Sequence, residues 1–234
     1  MSGFESIFER AAERKGGNAA LQTLLPDVAG SDAVAQLDES RFLAEMSRCI
    51  FQAGFVWRVI EQKWPGFETV FNGFDVETLL ALASEEIDEI AQDQRIVRNR
   101  QKINAVLANA RFIEEVALEA GSFAGFIADW PESDLVGLFE LLKKRGSRLG
   151  GMSGQRFLRN VGKDTFVLTA DVVRALKENR VEISANPSSK RDLSAIQATF
   201  NAWHYETGLP YTHLSKIAAF SVGKNIEPER LNHH

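Results

Sequence analysis

The sequence predicts an all-α protein. Apolar residues recur at helical spacing through most of the 234 residues, and the alternating polarity that is typical of strands is nearly absent. Glycines and prolines separate the helical segments from one another. Apolar residues make up 44% of the chain and charged residues 25%, a composition that is ordinary for a globular protein with a buried core.

The N-terminal third of the chain contains two helical patterns of different character. Apolar residues at helical spacing predict an amphipathic helix over 3–15, and the glycines and proline that follow predict short helices and loops over 17–38. Within the apolar-periodic stretch 42–64, the core Ile50–Trp57 is too apolar for a helix that faces solvent. We therefore expect it to form a central buried helix or the wall of a pocket, ended by Pro65.

Cap residues mark the helices that follow. Asp75 and Ser84 have short polar side chains that can accept a hydrogen bond from the first turn of a helix, and Gly121 is the kind of residue that ends one. A last helical region begins after the Pro187–Ser189 loop. The predicted helices are 76–83, 85–91, 100–120, 123–128, 132–144, 190–206 and 210–222.

A glycine-rich turn between two helices is the feature around which the chain is organised. Residues 141–176 predict a helix, a tight turn, a second helix, a short loop and a third helix, and Leu149–Gly154 contains three glycines in six residues. Backbone N–H groups at the start of a helix attract anions. The turn suits either a nucleic-acid phosphate or a helical hairpin with a solvated basic rim. The basic residues around it are Lys143, Lys144, Arg145, Arg148, Arg156, Arg159 and Lys163.

Composition limits the classes of function. The net charge is −5, so that any DNA binding must come from a local basic patch. Cys49 is the single cysteine, which excludes an intrachain disulfide. With the histidines it forms no zinc-binding spacing. We find no signal peptide and no apolar run of about 18 residues that would span a membrane, and we expect a cytoplasmic protein. The histidines are His204, His213, His233 and His234.

Several stretches resemble known DNA glycosylases. Leu149–Phe157 and the segment Gly162–Leu176 after it resemble the helix–hairpin–helix motif of the superfamily that contains endonuclease III. Gln52–Trp57 matches the Q-A-G-x-x-W of the DNA-3-methyladenine glycosylase I family, and the similarity to this family covers residues 40–177 approximately. The other matching stretches are Phe71–Asp75, Ile96–Ile103, Asn109–Arg111 and Leu142–Gly146.

The resemblance implies an all-α, helix–hairpin–helix DNA glycosylase fold in a single unit, 1–234. Within it we expect a divergent N-terminal segment, 1–40, a glycosylase core, 41–177, with the hairpin at about 142–162, and C-terminal helices, 178–234, that close the fold. The family's zinc site uses cysteine and histidine ligands from both ends of the chain. Residues 1–40 contain no cysteine, histidine, tyrosine or tryptophan. We therefore expect no zinc and no cofactor.

At three positions where the resembling glycosylases have an acidic or basic residue, this sequence has a residue of another type. Cys49 stands where the family has its pocket glutamate; Glu45, one helical turn earlier, either substitutes for it or is a helix-surface glutamate. Gln155 stands where lyases have their Schiff-base lysine, which disfavours lyase activity. Thr169 occupies the position of the superfamily's aspartate, and Asp171 is either catalytic or an acidic residue at a helix N terminus.

The resemblance also implies the binding residues. Trp57 is the best candidate for an aromatic wall against a flipped base. Phe51 and Phe55 either belong to that wall or are core residues, and Gln52 either binds a base edge or is structural. The base-pocket candidates are Cys49, Phe51, Gln52, Phe55, Trp57 and Thr169, the catalytic candidates Glu45 and Asp171. The candidates for contact with the DNA backbone are Gly151, Ser153, Gly154, Gln155, Arg156, Arg98 and Lys102.

The function expected from this resemblance is that of a monofunctional DNA glycosylase in base-excision repair. It would act as a monomer on double-stranded DNA and hydrolyse the N-glycosidic bond of alkylated purines such as 3-methyladenine. N3-alkylated adenine is cationic, which weakens its glycosidic bond, so that a tight pocket and a positioned water can suffice without the aspartate. Two alternatives remain open: a non-catalytic relative that binds DNA or an alkylated base, and a helical protein-interaction module whose binding lacks a steep salt dependence.

Overall fold

The computed structural model describes residues 3–223 and 225, and over these residues the chain is helical, with no strand. Two short 3₁₀ helices, Asn72–Phe74 and Glu132–Asp134, stand between the α-helices. The prediction of an all-α fold is confirmed. The α-helices are α1 (Glu5–Lys15), α2 (Asn18–Gln22), α3 (Ser31–Ala35), α4 (Glu39–Gln52), α5 (Trp57–Val70), α6 (Val76–Leu80), α7 (Ser84–Gln92), α8 (Arg100–Ala120), α9 (Phe123–Asp129), α10 (Leu135–Arg145), α11 (Met152–Asn160), α12 (Ala170–Glu178), α13 (Lys190–Thr207) and α14 (Tyr211–Phe220).

The chain divides into two compact units. The hairpin unit comprises Ala29–Trp130 and Gly137–Lys163. The terminal unit comprises the residues up to Val28, the segment Pro131–Val136, and the residues from Asp164 onward. Both units are discontinuous in sequence, because the chain passes from one to the other several times. The assignment of the whole chain to one glycosylase-like unit with boundaries near 40 and 177 stays a prediction.

Helices α4, α8, α9 and α11 form the core of the hairpin unit. The ring of Phe42 on α4 lies 5.2 Å from that of Phe123 on α9 and 6.3 Å from that of Phe157 on α11. Phe112 on α8 meets Phe123 edge-on at 5.6 Å. All four rings are buried. Burial of one such side chain stabilises a protein by about 1.5–3 kcal/mol, so this cluster holds α11 firmly against α4.

The terminal unit has an aromatic core of its own. Phe166 stacks on Phe200 of α13 with ring centroids 4.4 Å apart, and Phe200 meets Trp203 edge-on at 5.1 Å. Phe4, at the start of α1, lies 5.1 Å from Trp203. The backbone N–H of Phe4 donates to the carboxylate of Glu206 at 3.2 Å, which anchors the N-terminal helix to α13.

The apolar stretch 42–64 does not form one helix, whereas the alternative prediction, the wall of a pocket, agrees with the position of Gln52–Trp57. It forms the end of α4 and the start of α5 rather than one helix, because Ala53 is extended and Gly54 has a φ of 71°, which is favourable for glycine. Pro65 does not end a helix but lies inside α5. Apolar content alone cannot distinguish one buried helix from two helices joined by an apolar turn.

The cap predictions are partly confirmed. Asp75 accepts a hydrogen bond from the Thr78 N–H at 2.8 Å and caps α6, which ends earlier than expected. Ser84 is the first residue of α7 rather than its cap, and the Glu86 carboxylate accepts the N–H of Ala83 at 2.8 Å instead. Gly121 ends α8 in the left-handed conformation, as predicted.

Candidate functional site

An open pocket of about 410 Å³ lies in the hairpin unit, where the loop between α4 and α5 faces the start of α11. The loop, Ala53–Val56, provides much of one side, and the first turn of α11 provides the other. Phe55 and Val56 are 46% and 65% exposed, an unusual exposure for large apolar side chains next to one another. The lining residues are Cys49, Gln52, Ala53, Gly54, Phe55, Val56, Trp57, Met152, Ser153 and Arg156.

Trp57 is the aromatic wall of this pocket. It is the first residue of α5, directly after the exposed loop, and its ring remains partly exposed. The guanidinium carbon of Arg156 lies 4.5 Å from the centroid of the Trp57 ring, a cation–π contact that joins α5 to the hairpin helix α11. The prediction assigned Arg156 to the DNA backbone, but the structure places it in the pocket lining.

Gln52 presents a defined amide to the pocket. Its side chain is largely buried, and its Nε2 donates to Glu61 Oε1 at 2.8 Å. Glu61 is itself held by Arg48, whose Nη1 lies 2.7 Å from the second carboxylate oxygen, and the Arg48 guanidinium covers the ring of Trp64 at 4.1 Å. The amide is thereby oriented, and its carbonyl oxygen is the end that could accept a hydrogen bond from a ligand.

Cys49 contributes a neutral thiol. Burial raises the pKa of the Cys49 thiol to about 12, and the nearby Glu45 carboxylate acts in the same direction. The thiol is therefore protonated at physiological pH and is unsuited to nucleophilic attack. The Asn160 amide nitrogen of α11 lies 3.7 Å from its sulfur.

Glu45 is buried behind Cys49 rather than exposed on the surface of α4. Only 3% of the residue is exposed, and its carboxylate is 3.1 Å from Arg41, 3.7 Å from Arg48 and 3.2 Å from the Asn160 amide. The alternative of a helix-surface glutamate is thus wrong. These partners hold the carboxylate inside the protein, and Glu45 does not line the pocket. Glu45 is therefore a structural ion-pair partner. Charges at spacings of four and three residues on α4 signal this pairing in the sequence.

Two aromatic candidates have different positions. Phe51 is completely buried and packs against Phe67 of α5 with ring centroids 4.6 Å apart, so the prediction that it forms a pocket wall is corrected to core packing. Phe55 lines the pocket, two residues before Trp57. The alternative of a core residue is therefore wrong for Phe55.

Lys102 is a structural cation. Its ammonium group donates to the carbonyl oxygens of Phe51 at 3.1 Å and Ala53 at 2.7 Å, which satisfies the C-terminal end of α4. Burial lowers the pKa of Lys102, and the charge of Arg148 lowers it further. The prediction that Lys102 contacts a phosphate is corrected, because its charge is used inside the protein. Arg98 is exposed just before α8.

The hairpin is tightly built. Gly151, the N-cap of α11, has a φ of 62°, and a Cβ on Gly154 would lie only 2.3 Å from the Leu149 carbonyl oxygen. Asn109 of α8 holds the turn through two hydrogen bonds with the Ser147 backbone, at 3.0 and 2.7 Å. The start of α11 is therefore a fixed group of N–H donors. The prediction that Gln155 contacts the DNA backbone is corrected, because its side chain is buried and does not face a surface phosphate.

Thr169 and Asp171 belong to the terminal unit. Thr169 is the N-cap of α12, and its hydroxyl accepts the N–H of Val172 at 3.2 Å. Asp171 lies in the first turn of the same helix, where a carboxylate favours the positive end of the helix dipole. Neither belongs to the residues that line the pocket of the hairpin unit. A catalytic role for Asp171 and a pocket role for Thr169 stay predictions.

The two histidines within the described residues have backbone partners. His204 Nδ1 lies 2.9 Å from the Leu209 carbonyl oxygen, and His213 Nε2 lies 2.8 Å from that of Pro26. His233 and His234 lie outside the described residues. Over residues 3–223 and 225, no group of three histidine, cysteine or acidic side chains could hold a metal ion. Within the same part of the chain, no helix has the length and apolar character needed to cross a membrane.

Comparison with known proteins shows a similarity to one family over part of the chain. The family model of methyladenine glycosylases matches residues 33–140. DNA-3-methyladenine glycosylase 1 from Escherichia coli is 30% identical over 76 residues, which are 32% of this chain and 41% of the relative, so the chain spans less than half of that protein.

A solved structure shows the same fold, and a second one is similar over about half of the chain. The 8-oxoguanine glycosylase/lyase of Methanocaldococcus jannaschii, in complex with DNA containing 8-oxoguanine, aligns with a TM-score of 0.57 over 95% of this chain and 100% of its own, at 17% identity. The 3-methyladenine DNA glycosylase I of Staphylococcus aureus aligns with a TM-score of 0.49 over 54% of this chain and 77% of its own, at 22% identity. The chain thus has the all-α fold of helix–hairpin–helix DNA glycosylases, and its residues 33–140 are similar to the methyladenine glycosylase family.

Proposed function

We propose that this protein is a monofunctional DNA glycosylase that hydrolyses the N-glycosidic bond of alkylated purines, such as 3-methyladenine, in double-stranded DNA. The observation that carries the proposal is the pocket in which Trp57 stands directly opposite the hairpin helix α11. An aromatic wall and a helix N terminus in one compact unit can bind a flipped base and the backbone next to it. The match of the methyladenine glycosylase family model to residues 33–140 supports this proposal.

Energetics allow the pocket to capture a flipped base. Extrusion of a base from the duplex costs a few kcal/mol, and less where the base is damaged. Stacking on an aromatic side chain returns about 1–3 kcal/mol per base. Trp57 supplies this stacking surface, while the oriented carbonyl oxygen of Gln52 can accept a hydrogen bond from a base N–H. These two contributions offset the lower extrusion cost of a damaged base more fully than that of a normal one.

The chemical step requires water rather than a protein nucleophile. Cys49 is protonated, and Gln155 has no amine with which to form a Schiff base. A water oxygen bonds to the sugar C1′ as the bond from C1′ to the base nitrogen breaks. The electron pair of that bond stays with the base, and the water gives up a proton to solvent. An N3-alkylated adenine enters as a cation and leaves neutral, which makes it a good leaving group.

The start of α11 is proposed to hold the DNA backbone. The helix has nine residues, its N-cap Gly151 is exposed and Ser153 is half-buried, and the helix dipole favours a phosphate at this end. Binding should then weaken as salt increases, with a slope of about −0.9 per phosphate contact. We further propose that the protein acts as a monomer in the cytoplasm, a statement that light scattering and cell fractionation can check.

Base release from methylated duplex DNA tests the function. Purified protein should release methylated purines, and Trp57→Ala should reduce the single-turnover rate by about 10–100-fold, the equivalent of the lost stacking energy. Tyr205→Ala is the matched control, because Tyr205 is 94% exposed on α13 and lies outside the pocket. An absence of release by the wild-type protein would refute the enzymatic function.

A second function is favoured by one observation. None of the residues that line the described pocket is acidic, so a carboxylate that could activate water is missing from that lining. This favours a non-catalytic protein that binds DNA or an alkylated base. Salt-sensitive DNA binding without base release would identify it. Binding partners without this salt dependence would instead indicate the protein-interaction module.

A further inference from the structure

Glu61 of α5 holds the side chain of Gln52 from outside the pocket. It lies one helical turn after Trp57, and it is not among the residues that line the pocket. Its two carboxylate oxygens have separate donors: Oε1 accepts a hydrogen bond from Gln52 Nε2 at 2.8 Å, and Oε2 accepts one from Arg48 Nη1 at 2.7 Å. Gln52 and Arg48 are four residues apart on α4, so they reach α5 from the same face of that helix.

Arg48 keeps the Glu61 carboxylate in this position. The Arg48 guanidinium lies 4.1 Å from the ring centroid of Trp64, and its Nε lies 3.7 Å from Glu45 Oε1. Trp64 is itself buried and stacks on Phe67 with ring centroids 5.5 Å apart. The Glu61 side chain is 44% exposed, so the ion pair adds little to stability, but a carboxylate that is held at both oxygens can still orient an amide.

The carboxylate partner determines which end of the Gln52 amide is left for a ligand. An ionised carboxylate accepts hydrogen bonds and has no proton to donate, so the amide nitrogen must face Glu61. A flipped amide would place its oxygen against another acceptor and lose a hydrogen bond to a charged group, which disfavours that orientation by about tenfold or more. Because Gln52 lines the pocket, the end that a ligand meets there is the carbonyl oxygen, an acceptor.

We propose that Glu61 is a positioning residue that sets the hydrogen-bonding polarity of this pocket, so that the pocket selects bases with an N–H group on the edge that meets Gln52. The proposal rests on the proposed function and deepens it. The amino group of an alkylated adenine is such a donor, and the positive charge of an N3-alkylated adenine makes its N–H groups stronger donors. A base with only an acceptor on this edge would leave two acceptors facing each other without a proton between them.

The binding of two free purines tests this without any catalysis. Titrations followed by nuclear magnetic resonance measure the affinities of adenine, which has an amino donor on its six-membered ring, and of 6-methoxypurine, which has an acceptor oxygen at the same carbon. In Glu61→Gln the new amide can donate as well as accept, so the Gln52 amide can turn. This variant should lower the ratio of adenine affinity to 6-methoxypurine affinity about tenfold, the equivalent of one hydrogen bond to a charged group.

Glu68→Gln is the matched control. It removes the same charge from the same helix, but the Glu68 carboxylate accepts the indole N–H of Trp64 at 3.1 Å, and a glutamine can accept that hydrogen bond too. Its affinity ratio should stay that of the wild-type protein. A merely structural role of Glu61 would weaken both purines equally and leave the ratio unchanged, so the ratio reports the orientation of the amide. Gln52→Leu removes the amide and should lower the ratio as Glu61→Gln does.

The outcomes separate the two proposals. The role of Glu61 is overturned by an unchanged ratio in Glu61→Gln or in Gln52→Leu, by an equal change in Glu68→Gln, or by a wild-type protein that shows no saturable binding of adenine. Base release from methylated duplex DNA tests the enzyme separately. If the wild-type protein releases no methylated purine, the proposed function fails, while the affinity ratio still decides whether Glu61 sets the polarity of the pocket.

Discussion

Replacement of Gly154 by alanine should loosen the hairpin. A Cβ at this position would lie 2.3 Å from the carbonyl oxygen of Leu149 and 3.4 Å from Leu142 Cδ1. The first distance is shorter than side-chain carbons tolerate, and the obstacle is backbone, which cannot rotate away. The start of α11 must therefore move by about an ångström relative to the turn, a displacement of the kind that overpacking causes.

The magnitude follows from two opposing contributions. Overpacking of this severity costs about 3 kcal/mol, and the better helix propensity of alanine offsets about 1 kcal/mol. The net loss of about 2 kcal/mol corresponds to a decrease of about 4–8 °C in the melting temperature of a chain of this length. DNA binding should also lose part of its salt dependence, with a slope smaller by about 0.9 for each phosphate contact that is lost.

Gly150→Ala is the matched control. It introduces the same methyl group into the same turn, but the nearest atom is Lys143 Cγ at 3.3 Å, in a flexible side chain that can yield. Its melting temperature should change by less than about 2 °C. Thermal unfolding followed by circular dichroism compares the two variants at equal salt and pH. Equal melting temperatures for both would refute the tight packing of the turn.

Two further predictions concern buried ionisable groups. Since the pKa of the Cys49 thiol is about 12, labelling of this single cysteine with iodoacetamide at pH 8 should be at least 100-fold slower in the native protein than in denaturant; rapid native labelling would contradict it. Lys102→Met should lower the free energy of unfolding in urea by about 2–4 kcal/mol, because two carbonyl oxygens lose a charged donor. The lowered pKa of Lys102 means that the unfolded chain binds this proton more tightly. The wild-type protein should therefore gain stability relative to Lys102→Met as the pH rises from the lowered pKa towards 10.5, and a difference that shrinks over this range would show that the pKa is not lowered.

Local sequence patterns were sufficient for most helices and for the hairpin. Helical apolar spacing, cap residues and the clustered glycines identified α1, α8 and the α10–α11 pair close to their observed bounds. The break between α4 and α5 was not predicted, because it depends on a distant residue. Lys102, on α8, donates hydrogen bonds to the carbonyl oxygens that have no helical partner where α4 ends. Such a long-range contact leaves no periodic signal in the segment itself.

The residues of the candidate site also differ in how well the sequence could predict them. Trp57 was predicted as a pocket residue from its place in the Q-A-G-x-x-W motif, and Phe55 because it lies within the same motif. The pattern could not separate Phe51 from Phe55, because exposure is decided by where α4 ends. Arg156 looked like one of several basic residues around a turn, and its position over Trp57 depends on the packing of α11 against α4. Met152 was missed, although its place at the first residue of α11 sets it next to the lining residue Ser153.

Helix α11 contributes both to the proposed phosphate contact, at its start, and to the wall of the pocket, through Arg156. Ser153 and Arg156 are three residues apart on this helix, an axial separation of about 4.5 Å. Asn160, further along the same helix, is hydrogen-bonded to buried Glu45 of α4, so α11 cannot slide along the pocket wall. Once the helix start holds a phosphate, the distance from that phosphate to the stacking ring is fixed. The protein would then act as a molecular ruler, which selects a nucleotide by its position along the strand before it tests the chemistry of the base.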